Sequence, residues 1–250
     1  PIIRELLATH RKKICYLTSS PDDPVLTCQG DEIRGFYIGM GFVRTYLFLT
    51  LKAGIMVMTM PDLETYYIKR SKVWPVHYIY VYHSMCSTTM VYRFGAMDHF
   101  DAILCVGPHH INEIRATEKL YNLKPKILIE SGYGRLDSII EEAQNRPQTI
   151  LGEGVKKVLL APTWGDHALL ETCAFDLVDI LLGRGYQVIY RPHPMTVRHR
   201  KKLLTELQNK FAQHKNFKYE TDLGTQESLH LSDILISDWS NAAIEYALGL

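Results

Sequence analysis

The 250-residue sequence has no G-x-x-x-x-G-K-[ST] phosphate loop, no G-x-G-x-x-G fingerprint and no G-x-S-x-G elbow. Those absences remove the P-loop NTPases, the common dinucleotide-binding fingerprint and the usual hydrolase nucleophile turn. It also lacks a D-x-D triplet, the carboxylate pair with which many single-lobed glycosyltransferases hold a divalent cation. Cysteine is sparse. Cys15, Cys28, Cys86, Cys105 and Cys173 are odd in number and form no C-x-x-C pair, which argues against a disulfide framework or zinc cluster and favours a reducing compartment. Charge of either sign is nearly balanced: the net +1 gives no global footprint for nucleic acid, so any anion site must be local. The chain opens on Pro1 and stops at Leu250 within a helical pattern, as expected of a piece trimmed at both ends, so a missing leader carries no weight.

What is present is enough for a packed α/β protein. Hydrophobic residues make up 46% and charged residues 22%, which suits one large domain or two modest ones and excludes disorder. Residues 35–60 form the most apolar stretch, interrupted mainly by Arg44 and Lys52. It reads as a buried helix, a turn at Gly54 and a buried strand, since a spanning helix tolerates mid-segment charge poorly. A helix lying on a membrane surface is the other reading.

Strands then alternate with helices: strands at 76–82, 102–106 and 126–130, helices at 110–121 and 137–145, with Asp137 expected to cap the latter. Residues 146–154, with Pro147, Gly152 and Gly154 in a polar run, are the best linker. A second series follows, with strands at 157–160, 187–190, 217–219 and 234–237 and helices at 169–183, 197–214 and from 240. This predicts an N-terminal Rossmann-like lobe at 1–145 and a C-terminal one at 155–250, facing a cleft lined by the carboxyl ends of parallel strands.

The strand-to-helix turns are where chemistry is expected, because helix N-termini there attract anions. Tyr82-His83-Ser84 places a histidine after a strand. It is open to two readings: a neutral base for an attacking hydroxyl, or an imidazole satisfied by backbone. In Arg191-Pro192-His193-Pro194, two prolines stiffen a turn carrying two donors suited to phosphate oxygens. In Ser237-Asp238-Trp239-Ser240-Asn241, Ser240 or Asp238 can cap a helix. Even with Ser240 as the cap, its hydroxyl and the amides of Asn241 and Ala242 are expected to face outward as an anion cradle. Ala161-Pro162-Thr163-Trp164 is a weaker candidate for contact with a nucleotide. His109-His110 suggests a metal, but no spaced third ligand accompanies the pair. The basic run Arg198-His199-Arg200-Lys201-Lys202 reads as a solvated helix face or a contact with anionic lipid or polymer.

Taken in order, these turns resemble those of the CDP-glycerol glycerophosphotransferase family. The likeness runs from about Val76 to the end. It rests on the His83 turn, Val106-Gly107-Pro108 with Glu113, Gly132-Tyr133-Gly134-Arg135-Leu136-Asp137, Ala161-Pro162-Thr163-Trp164, Arg191-Pro192-His193-Pro194 and Ser237-Asp238-Trp239-Ser240. Two positions depart from the family habit: Ser84 follows His83 where glycine is common, and Trp239 stands where tyrosine is common. A side chain at 84 is expected to narrow access to the backbone there.

The resemblance implies an α/β fold of GT-B type, two Rossmann-like parallel-sheet lobes facing a cleft. It also implies a transferase that moves glycerol- or ribitol-phosphate from a CDP-activated donor to a hydroxyl of a growing cell-surface polymer and releases CMP. His83 would be the base and His193 the partner of the pyrophosphate. Arg191, Ser237, Asp238, Ser240, Asn241, Thr163 and Trp164 would line the donor side, with Ser84, His109, Gly132 and Arg135 on the acceptor side or in the cleft. No cofactor is implied beyond the CDP-alditol substrate, no metal ligand is assigned, and nucleic acid is not a partner. The acceptor would be lipid-linked or polymeric, placing the protein in the cytoplasm at the inner face of the membrane, with an anionic surface as a further partner. The alternatives are another GT-B enzyme using a nucleotide sugar, a glycosyltransferase or UDP-sugar 2-epimerase relative, and a non-catalytic GT-B binding module.

Overall fold

The computed structural model describes residues 2–10, 13–27, 30, 32–145, 154–222 and 225–250. The chain forms two compact units, Pro1–Gly134 and Arg135–Leu250. The first begins with helix α1 (Ile2–His10) and a parallel strand pair, β1 (Ile14–Thr18) and β2 (Ile33–Tyr37), followed by α2 (Phe42–Thr50). Its main sheet is parallel, in the order β3 (Ile55–Met58), β4 (His77–Val81), β5 (Ala102–Cys105) and β6 (Ile127–Glu130). The connections carry α3 (Thr88–Val91) and α4 (Pro108–Leu120). Tyr78, Tyr80 and Tyr82 alternate onto one face of this sheet and are buried with Phe48, Phe100, Ile103 and Ile114. Tyr80 meets Tyr82 and Phe100 with ring centroids 5.0 and 5.1 Å apart, in edge-on geometry.

After α5 (Gly134–Gln144), the second unit continues with β7 (Lys157–Leu160), α6 (Leu169–Thr172), α7 (Ala174–Gly183), β8 (Gln187–Tyr190), α8 (Pro194–His199), α9 (Lys201–Phe211), β9 (Phe217–Tyr219), α10 (Glu227–Leu231), β10 (Ile234–Ile236) and α11 (Asn241–Gly249). Its sheet is parallel, in the order β10-β7-β8-β9. Val158 and Leu160 pack with Val178, Leu204, Leu207 and Phe211, while Leu159 and Ala161 pack with Ile139, Ile189 and Leu229. Period-2 alternation thus feeds two clusters, one on each face, as a doubly covered parallel sheet requires. Each fully buried leucine or isoleucine here contributes about 1.5–3 kcal/mol relative to exposure.

Several expectations are corrected. The apolar stretch at 35–60 does fold as helix, turn and strand, but it is not buried throughout. Only Phe48 of α2 is buried, while Phe42 is 82% exposed and Val43 and Tyr46 are also exposed. Helical spacing sets Phe42 and Tyr46 on one side, where their rings stack at 6.4 Å, and Phe48 on another. Strand β3 lies at the sheet edge and turns Ile55 and Val57 outward. The helix expected at 197–214 is two helices, broken at Arg200 (φ −125°, ψ 32°), whose guanidinium pairs with Asp166 and Glu171. The helix expected at 169–183 breaks at Cys173. Asp137 is not a cap: α5 starts at Gly134, after a turn in which Gly132 adopts φ +72°, so Asp137 sits within the first turn.

The contact division falls before α5 rather than at the expected linker, because Arg135 binds Glu245 and both Leu136 and Ile139 lie against Gly249 in α11. Residues 146–153 of that linker lie outside the described residues.

Candidate active-site loops

In the first unit, β4 delivers the chain to His83, whose ring keeps an exposed face. Protein packed around the ring lowers its pKa below the ordinary 6.5, and a hydrogen bond to the Thr59 backbone opposes that in part. A neutral imidazole has one donor and one acceptor nitrogen. The lowered pKa favours the neutral ring at neutral pH, which keeps one nitrogen of His83 as a proton acceptor. Tyr92 meets the ring edge-on, with centroids 6.3 Å apart.

The loop after His83 is fastened at successive points. Tyr133 Oη donates to the His83 carbonyl at 3.0 Å. His109 Nε2 is 3.1 Å from the Met85 carbonyl, and His110 Nε2 is 2.9 Å from that of Cys86. Glu113 Oε2 accepts from both the amide and the hydroxyl of Thr88, each at 2.6 Å. Those donors hold the Glu113 carboxyl below its ordinary pKa against the opposing effect of burial. Ser84 is buried, and its hydroxyl accepts from the Cys86 amide at 3.2 Å. The two adjacent histidines are therefore engaged with loop carbonyls, and no three-residue His/Cys/Asp/Glu group suited to a metal occurs among the described residues.

In the second unit, the turns at the carboxyl ends of β7 and β10 are tied to each other, and the turn after β8 is tied to residues 220–228. Asp238 Oδ1 accepts from the Thr163 amide at 2.6 Å and Oδ2 from the Leu169 amide at 2.9 Å. Ser237 Oγ donates to the Ala161 carbonyl at 2.6 Å. Ser240 caps α11 by accepting from the Ala242 amide at 3.1 Å, so its hydroxyl is buried and that amide is occupied rather than facing outward. Asn241 Nδ2 donates to the buried Glu245, which also receives Arg135 Nε at 2.9 Å. Arg191 is drawn inward: Nη1 reaches Ser228 at 2.9 Å and Glu220 at 3.2 Å, and Nη2 reaches the Thr225 carbonyl at 2.9 Å. Its expected phosphate ligation thus has internal partners to compete with.

His193 is placed differently. Nδ1 accepts from the Met195 amide at 3.1 Å, capping α8, so in the neutral ring Nε2 carries the proton. Trp164 lies nearly parallel to both His193 and His199, at 6.3 and 6.4 Å. Trp239 is 82% exposed. The two loop histidines therefore differ in setting: burial favours the neutral ring at His83, while His193 has its Nδ1 committed to a helix cap.

A family model described as CDP-Glycerol:Poly(glycerophosphate) glycerophosphotransferase matches residues 41–249, spanning both histidine loops. The chain belongs to this family. The fold of this glycerophosphotransferase-family chain is similar to that of the wall teichoic acid polymerase TagF in a form soaked with CDPG, with a TM-score of 0.60 and 16% identity over 98% of this chain and 62% of that one. It is also similar to UDP-GlcNAc 2-epimerase from Methanocaldococcus jannaschii. The structure with UDP-GlcNAc and UDP gives a TM-score of 0.62 at 15% identity, and a second structure gives 0.55 at 13%, each over 99% of this chain and 77% of that one. These neighbours share the α/β, GT-B type of fold with parallel sheets. No curated protein sequence matches significantly. The glycerophosphotransferase-family chain spans 62% of the TagF chain it matches.

Of the positions expected from sequence, Ser84, His109 and Gly132 fall in the first unit with His83, and Arg135 falls in the second. Glu113 and Tyr133 belong to the motifs that carry the resemblance and His110 to the candidate metal pair, but the sequence does not mark them as holding the loop after His83. One signal was available: residues 109, 110 and 113 share a face at the start of a helix.

Proposed function

We propose that this chain transfers an alditol phosphate, glycerol- or ribitol-phosphate, from a CDP-activated donor to a hydroxyl of a growing cell-surface polymer. The observation that carries the reading is the family match over residues 41–249, which contains both His83 and His193. In the reaction, His83 takes the proton of the acceptor hydroxyl as its oxygen attacks the β-phosphorus of the donor. The bond from that phosphorus to the bridging oxygen breaks, a phosphodiester forms and CMP leaves with the bridging oxygen. His193 donates to phosphate oxygens as negative charge moves toward the leaving group. Trp164 and Trp239 offer aromatic surface to the nucleotide. In this reading the first unit serves the acceptor and the second the donor.

The test is nucleotide release from a donor panel. CMP from CDP-glycerol or CDP-ribitol supports the reading. UDP from UDP-GlcNAc without CMP would replace it with a nucleotide-sugar enzyme, and binding without turnover would replace it with a non-catalytic module.

The reading also places the protein in the cytoplasm, peripheral to the inner face of the membrane, where a lipid-linked or polymeric acceptor would be met. No described helix is long and apolar enough to cross a membrane. Support for surface association comes from Met40, Phe42, Val43 and Tyr46, all exposed, in a stretch from 33 to 60 that carries Arg34, Arg44 and Lys52 and no acidic residue. Sedimentation with anionic but not neutral vesicles, lost in Phe42→Ser/Tyr46→Ser, is the expected outcome. Equal recovery with and without vesicles removes the membrane from this account.

A further inference from the structure

Helix α4 presents three side chains in one row to the loop that follows the proposed base. The row is ordered: His109 to residue 85, His110 to residue 86 and Glu113 to residue 88. His110 is fully buried, its Nδ1 lies 3.4 Å from the Val106 amide, and its ring lies 4.1 Å from that of Tyr82, the residue before His83. Glu113 takes both donors of Thr88 and so fixes the start of α3, where the loop ends. Tyr133, beyond the glycine turn after β6, holds the carbonyl of His83 itself. A loop of six residues, 83–88, is thus restrained at four of them by groups from outside it.

We propose that Glu113, His110 and Tyr133 are positioning residues for His83, holding the loop so that the imidazole acceptor nitrogen stays in reactive register. This rests on the reading of His83 as the base. A half-buried carboxylate accepting an amide and a hydroxyl is a stiff anchor, because charge-assisted hydrogen bonds are shorter and stronger than neutral ones. A displacement of about 1 Å at a reacting atom costs about a hundredfold.

The experiment compares Glu113→Ala, Glu113→Gln and Tyr133→Phe in the full-length protein, with two readouts. One is the kcat and KM for CMP release from CDP-glycerol. The other is the NMR titration of the His83 ring, assigned by its disappearance in His83→Ala. In Glu113→Ala, kcat should fall by up to about a hundredfold with donor KM within about twofold, and the His83 titration should rise toward its ordinary range as the loop admits water. Glu113→Gln, which keeps an acceptor oxygen for Thr88, should restore most of both. Tyr133→Phe deletes one hydroxyl at a half-buried site and should show the same pattern at smaller size, which keeps the test alive if Glu113→Ala does not fold. An unmoved His83 titration with unchanged kcat in Glu113→Ala and Tyr133→Phe overturns the inference, as does an equal loss in Glu113→Ala and Glu113→Gln. If His83→Ala turns over normally while Glu113→Ala still shifts the titration, the base assignment fails and the positioning contacts stand.

Discussion

The loop of the first unit that carries His83 and the loops of the second that carry His193 reach a fixed geometry by different routes. The first is held from outside, by side chains of α4 and by Tyr133 reaching its backbone. The second group is held from within: Asp238 joins the turn after β10 to the turn after β7, and Arg191 joins the turn after β8 to Glu220 and Ser228. The difference teaches that the residues with the most obvious ligand chemistry, an arginine and an aspartate at strand ends, also have structural partners of their own. Of the two histidines, His193 has Nδ1 committed to the Met195 amide, and in the proposed reading both are left to the chemistry.

The largest effect expected on this comparison is chemical. His83→Ala should lower the rate of CMP release by about 10²–10⁴-fold while calorimetric affinity for CDP-glycerol stays within about twofold. A variant with near-normal turnover would leave the first loop without its proposed role. Next is the internal pair of the second unit. Arg191 and Glu220 have side chains 11% and 8% exposed. Glu220→Ala should therefore cost about 3–5 kcal/mol in urea unfolding, because it strands a buried guanidinium charge. Asp238→Ala removes the acceptor of two amides and should cost about 2 kcal/mol, with weaker donor binding as the turn carrying Trp164 loosens. A loss of donor binding without loss of stability would instead make Asp238 a direct ligand.

A pH profile sharpens the same comparison. Because burial lowers the pKa of His83, the acid limb of kcat/KM should lie below 6.5, with activity falling as pH falls through that lowered value. His110 is lowered as well, mainly by burial. In the window between these lowered values and 6.5 the unfolded chain binds more protons, so stability should also decline as pH falls there. Melting curves across that range provide the check. The smallest effect belongs to the basic run: Lys202 reaches Glu206 only at 4.0 Å from a highly exposed position, so Lys202→Ala should change stability by less than about 0.5 kcal/mol.

Much of this arrangement was legible in the sequence because it depends on local signals. Alternation of strand and helix, Pro-His-Pro after a strand and Ser before a helical run all report structure within a few residues, and Ser240 is indeed the cap of α11. What was not legible depends on distant partners. Nothing near Arg191 marks Glu220 or Ser228, 29 and 37 residues on, as the groups that draw it inward. The exposure of Phe42, Val43 and Tyr46 was hidden for a related reason. Hydrophobic character predicts burial only where a neighbour is present to cover the face, and β3 being an edge strand is a fact of strand order rather than of composition. The break at Arg200 likewise answers to Asp166 and Glu171, which a helical periodicity over 197–214 does not contain.

The contact between Arg135 and Glu245 has a practical consequence. Residues 135–145 precede residues 146–153 in sequence, yet Arg135, Leu136 and Ile139 make contacts with α11. A protease cut between 146 and 153 should therefore yield fragments that stay together on a sizing column, with α5 bridging the scission. A separately expressed second half should begin before Arg135. Started after residue 153, it would lack the guanidinium that meets Glu245 and the Ile139 side chain that fills one face of its sheet, and it should be recovered mainly as aggregate.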